Sequence, residues 1–109
     1  MFKVMGYTNI NASTFKPTYH VSERQSRLAL CEVLGGQPIK SIIVDKGHEN
    51  GLEIHTVTSQ GIVYIGNATT QKLVTFLIAR PEQLKRYGVY DDTVLAIARK
   101  HQELGYNNM

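Results

Sequence analysis

From residue 39 to residue 80 the chain is written in short apolar runs separated by turn residues. Ile39, Ile42, Ile43 and Val44 fill 39–46. Residues 52–58 alternate, with Leu52, Ile54 and Thr56 on one side and Glu53, His55 and Val57 on the other. Residues 62–66 read Ile-Val-Tyr-Ile-Gly, and 72–79 read Lys-Leu-Val-Thr-Phe-Leu-Ile-Ala. A period of two with this β-branched content is a strand signature. The breaks at 46–51, 59–61 and 67–70 are rich in Gly, Asn and Ser. They are too short for crossover helices, so the four strands follow one another as an antiparallel meander.

On either side the pattern changes. Residues 2–10 read as a first strand weakened by Gly6, and 11–19 as a loop holding Pro17. Ser22 is a suitable N-cap for a helix in which Leu28, Cys31 and Leu34 recur every three residues, joined by Leu30 and Val33. Gly35-Gly36 ends it and Pro38 prevents a restart. After the meander, Pro81 suits the first position of one or two helical turns over 81–87, which Gly88 breaks. Asp91 or Asp92 then caps a final helix to about Leu104, with Val94, Leu95, Ile97, Ala98, His101 and Leu104 as its apolar stripe. The predicted fold class is α+β: an N-terminal strand and helix, a four-stranded antiparallel meander and a C-terminal helix. One or both helices must cover the sheet.

Composition narrows the picture. With 109 residues, 42% hydrophobic and 19% charged, the chain reads as a single domain over 1–109 with loose ends at 1–2 and 106–109. A net charge of +3 permits an anionic partner such as RNA without requiring one. The lone Cys31 excludes an internal disulfide and suits a reducing compartment. No signal peptide and no membrane-length apolar run is apparent, which predicts a cytoplasmic protein without membrane contact. His48 and His55 stand seven apart with no further ligand at characteristic spacing, so neither a metal site nor a cofactor is expected.

The candidate chemistry lies between Asp45 and Tyr87. If Thr58 opposes Gly61 and Gly66 opposes Gln71, then Glu53, His55, Tyr64 and Thr75 share one face of the sheet. Such a face fits RNA cleavage through the ribose 2′-OH. His55 serves as base or acid, Glu53 or His48 as its partner, and Thr75 or Tyr87 as hydrogen-bond donor. Lys46, Arg80, Lys85 and Arg86 hold phosphate or RNA. The requirement is exacting: one solvent-facing side must gather an imidazole, a hydroxyl and a guanidinium. Each residue also has a plainer role, as a strand pairing residue, a β-former or a solvated helix end.

The helix and meander resemble the core of the barnase, EndoU, colicin-ribonuclease and RelE group. The stretch from Asp45 to Tyr87 resembles phage and mobile-element proteins related to that group. The similar features are the His-bearing strand GLEIHTVT, the strand GIVYIGN, the TxxLVT strand ending at Thr75, and the basic ARP and KRY segments. The resemblance covers about residues 20–87. It implies metal-independent RNA cleavage leaving a 2′,3′-cyclic phosphate, in a toxin or phage effector with a host or immunity protein as partner. His55, Thr75, Arg80 and Arg86 are the carried-over positions. No second His sits at a matching position. That keeps a non-catalytic alternative open: a protein-binding or homo-oligomeric module of the phage type, or an RNA-binding module.

Overall fold

The computed structural model describes residues 3–47 and 51–108. The strands are β1 (Lys3–Tyr7), β2 (Lys16–Pro17), β3 (Pro38–Asp45), β4 (Leu52–Thr58), β5 (Ile62–Asn67) and β6 (Lys72–Ile78). The helices are α1 (Tyr19–Ser22), α2 (Gln25–Leu34), α3 (Pro81–Arg86) and α4 (Asp92–Glu103). The fold is α+β, as the pattern predicts. The expected meander β3–β6 is embedded in a larger mixed sheet of order β1-β3-β4-β5-β6-β2. β1 adds to β3 antiparallel, while the two-residue β2 lies parallel to β6.

Both faces of the sheet are covered. On one, Ile42, Val44, Val57, Val63 and Ile65 pack against Leu84, Tyr87, Val89, Val94, Leu95 and Ala98 of α3, α4 and their connection. On the other, Ile54, Ile62, Tyr64, Phe76 and Ile78 pack against Val21, Cys31 and the half-buried Leu28 and Leu34. Double coverage explains why β4 is buried from Ile54 through Thr58 despite its alternating sequence. Each large side chain enclosed in this way contributes about 1.5–3 kcal/mol. The polar Thr56 is satisfied inside the second face: its hydroxyl accepts from Ala12 N at 2.8 Å and lies 2.7 Å from Ser41 Oγ.

Several local expectations are corrected. Ser22 is the last residue of α1 rather than an N-cap; Thr18 caps that turn by accepting from Val21 N, and α2 begins at Gln25. Val33 is 83% exposed because Cys31, two positions earlier, is the residue aimed at the sheet. The chain continues past α4 into the segment 106–108. It forms a 3-10 turn, Tyr106 packs on the core, and the Asn107 amide donates to the Ile78 carbonyl. Asp91 does cap α4, accepting from Thr93 N and Val94 N at 2.9 and 3.1 Å. Gly66 is required for a different reason from a turn. A Cβ there would collide with Cδ2 and Cε2 of the Phe15 ring.

Candidate functional site

Register decides which side chains can meet. Between β4 and β5 the observed pairs are Thr56 with Tyr64 and His55 with Ile65, one residue away from the register anticipated from the turns. That slip moves Tyr64 to the opposite face, where it joins Phe76 and Ile62. Thr75 pairs with Ile65 and so remains on the His55 face. Gly66 pairs with Leu73, two positions from the anticipated Gln71, and past the β-bulge between Ile65 and Gly66 the displacement is three, an odd shift that together with the β4–β5 slip keeps Thr75 on the His55 side.

His55 is at the centre of that face, and its imidazole is shut in. It is 2% exposed. Nε2 lies 3.0 Å from Oε1 of Glu53 and Nδ1 lies 2.6 Å from the Tyr87 hydroxyl. Burial pushes the Tyr87 phenol well above its ordinary pKa, with Arg86 opposing and Glu53 reinforcing the shift. The phenol therefore keeps its proton where it faces Nδ1, and because a carboxylate only accepts, Nε2–H donates to Glu53. Glu53 and His55 are neighbours because residues two apart on a strand share a face. Tyr87 reaches them because α3 folds back over the sheet from the end of β6. Glu53, at 15% side-chain exposure, is the member of the run that reaches furthest toward solvent.

The other candidates are only partly gathered. Thr75, half-buried, stands two strands from His55, roughly 10 Å at the usual interstrand spacing. Arg80 is exposed at the N-cap of α3, where its backbone N–H donates to Gln83 Oε1. Five residues beyond Thr75 along the β6 direction is roughly 16 Å, toward the end of the sheet opposite Glu53. The imidazole, the Thr75 hydroxyl and the Arg80 guanidinium therefore do not converge. Lys85 and Arg86 are exposed on α3, and Arg86 is near enough to Tyr87 to act on its ionisation. Lys46 is half-buried and directly follows β3, in which Val44 is the pairing partner of Glu53. His48 lies outside the described residues, as do Glu49 and Asn50 of the anticipated turn.

Arg86 therefore adjoins Tyr87, and Lys46 follows the strand that pairs with Glu53, while Arg80 is at the other end of the sheet. The sequence placed Tyr87 in the site as a hydrogen-bond donor but not as the partner of the His55 ring, since 32 positions spanning β5, β6 and α3 separate them. Among the described residues, no group of three His, Cys, Asp or Glu side chains is disposed to hold a metal ion, and no helix is long and apolar enough to cross a membrane. No known protein family, curated protein or solved structure matches the chain.

Proposed function

We propose that the chain is a metal-independent ribonuclease-like domain in which Glu53, not His55, is the group that meets RNA. An imidazole closed off from solvent with both nitrogens engaged cannot take a proton from a ribose, so the direct role expected of His55 is withdrawn. The supporting observation is the hydrogen-bonded run from carboxylate to imidazole to phenol on a face whose central neighbours are apolar. Burying such groups costs stability that apolar side chains of similar volume would not cost. Polar groups held at that cost concentrate at functional sites.

In this reading Glu53 accepts the 2′-OH proton while the 2′-oxygen attacks phosphorus. The bond to the 5′-oxygen breaks, that oxygen takes a proton from water, and a 2′,3′-cyclic phosphate is left. The Nε2–H of His55 orients the carboxylate, and Tyr87 fixes the ring. Arg86 and Lys46 offer positive charge to the phosphorane. Thr75, Arg80 and Lys85 contact only a longer RNA. The test is digestion of labelled RNA in EDTA with analysis of the product ends. Cyclic phosphate ends that disappear with Glu53→Gln support the reading, and intact RNA under all conditions removes it.

A second reading, a non-catalytic module that self-associates or binds a host protein, is favoured by a different observation. β1 is an edge strand on which Val4, Met5 and Tyr7 are all exposed, and an open apolar edge is a template for pairing. Sedimentation analysis of the wild type and of Met5→Lys tests it. A monomer at all concentrations counts against self-association.

A further inference from the structure

The turn that follows Tyr87 is held from outside its own helix. α3 ends in a Schellman turn, in which Gly88 N donates to Lys85 O at 2.9 Å and Val89 N to Leu84 O at 3.0 Å. Gly88 has φ +78°, the left-handed conformation that this turn requires. The last carbonyls of a helix lack helical partners. That of Gly88 finds one on β3, where the Lys40 ammonium donates to it at 3.3 Å and places a cation at the negative end of the helix dipole. The same ammonium lies 5.0 Å from the centre of the Tyr7 ring on β1. Register puts these groups on the His55 face. Lys40 pairs with Val57, and Tyr7 with Ile42, which in turn pairs with His55. Val57 and Ile42 are both in the core beneath α3 and α4. Among the described residues no carboxylate is within ion-pair distance of Lys40, so its charge serves the carbonyl and the ring.

We propose that Lys40 is a positioning residue for the His55 site: by pinning the Gly88 carbonyl it fixes the end of α3 from which the Tyr87 hydroxyl reaches Nδ1. Tyr87 and Gly88 share a peptide bond, so one cannot shift without the other. Apolar contact presses α3 onto the sheet but is non-directional, and the bonds of the turn are internal to it. The Lys40 bond is directional and comes from the sheet itself. A side chain at position 88 would oppose it, since a Cβ there would be 2.7 Å from the ammonium. The effect on cleavage rests on the reading of Glu53 given above; the effect on the His55 ring does not. The link is absent from any sequence window, because Lys40 and Gly88 are 48 positions apart.

The experiment reads the imidazole directly. The nitrogen NMR resonance of His55 Nδ1, followed in the whole chain, reports what faces that atom whether or not RNA is cut. Tyr87→Phe sets the displacement for complete loss of the hydroxyl. Lys40→Met is expected to move the resonance in the same direction by a resolvable part of that displacement. Lys40→Arg, which can still donate to the carbonyl, is expected to stay at the wild-type position. Where Lys40→Met does not fold, Lys40→Gln, uncharged and one atom shorter, is read in its place. A resonance unmoved by loss of the ammonium overturns the proposal, and so does an equal displacement in Lys40→Met and Lys40→Arg. In cleavage assays the displaced resonance is expected to accompany a several-fold fall in kcat at unchanged KM. A rise in KM alone, with Nδ1 unmoved, makes Lys40 an RNA contact and overturns the positioning role. A displaced Nδ1 in a protein that cleaves no RNA upholds that role while removing the catalytic reading.

Discussion

The hydroxyl of Tyr87 and Nδ1 of His55 are 2.6 Å apart, and this contact ties the residue that ends α3 to the middle of the sheet. It joins two buried polar groups, each of which needs the other. Removing one takes a hydrogen bond from a group enclosed in the core, which is costlier than losing one at a surface.

Tyr87→Phe keeps the ring and deletes only the hydroxyl. The expected loss is about 1–3 kcal/mol of unfolding free energy, measured by urea denaturation with an unchanged denaturant slope. A variant as stable as the wild type would mean that Nδ1 is satisfied by another route and that Tyr87 is no lock.

Gly66 carries the ring of Phe15, and nothing larger fits between them. Gly66→Ala is expected to destabilise by about 1–3 kcal/mol, the usual cost of overpacking. Combining it with Phe15→Ala should recover part of the difference, since the clash partner is gone. Full additivity of the two losses in thermal unfolding would contradict the contact.

His101 is 5% exposed on α4, its Nδ1 has no partner among the described residues, and burial lowers its pKa. The unfolded chain therefore takes up a proton at this position before the folded one does. Its contribution is constant above the unfolded value of about 6.5 and is lost as pH falls from there through the lowered folded value. Urea denaturation at pH 7.5 and 5.5 should show a smaller difference for His101→Leu than for the wild type. Equal differences would show that His101 is not a source of acid sensitivity.

What the sequence revealed and what it hid follow from the range of the interactions. The four meander strands were legible because period-two alternation and turn residues are local. The α4 cap was legible because Asp91 acts on backbone two and three positions ahead. The six-stranded extent was not, since β1 joins β3 across more than thirty residues and β2 contributes only Lys16 and Pro17. The site failed at the same scale. Glu53 and His55 were found together because they are two apart on one strand. Tyr64 was put on the wrong face by a single-residue slip, and Arg80 was grouped with His55 though it leaves from the far end of β6. That both helical layers enclose the sheet, sealing the imidazole, depends on tertiary packing that no window of sequence contains.

The ribonuclease-like reading rests on where the reacting carboxylate is, and one comparison addresses that directly: the cleavage rate of a single labelled RNA by wild type, Glu53→Gln and Arg80→Ala, in EDTA. With Glu53 as the proton acceptor, Glu53→Gln falls by about 100-fold or more, the usual scale of general-base catalysis, while Arg80→Ala stays close to wild type. A rate that survives Glu53→Gln but collapses with Arg80→Ala would put the chemistry at the opposite end of the sheet and contradict the site described above.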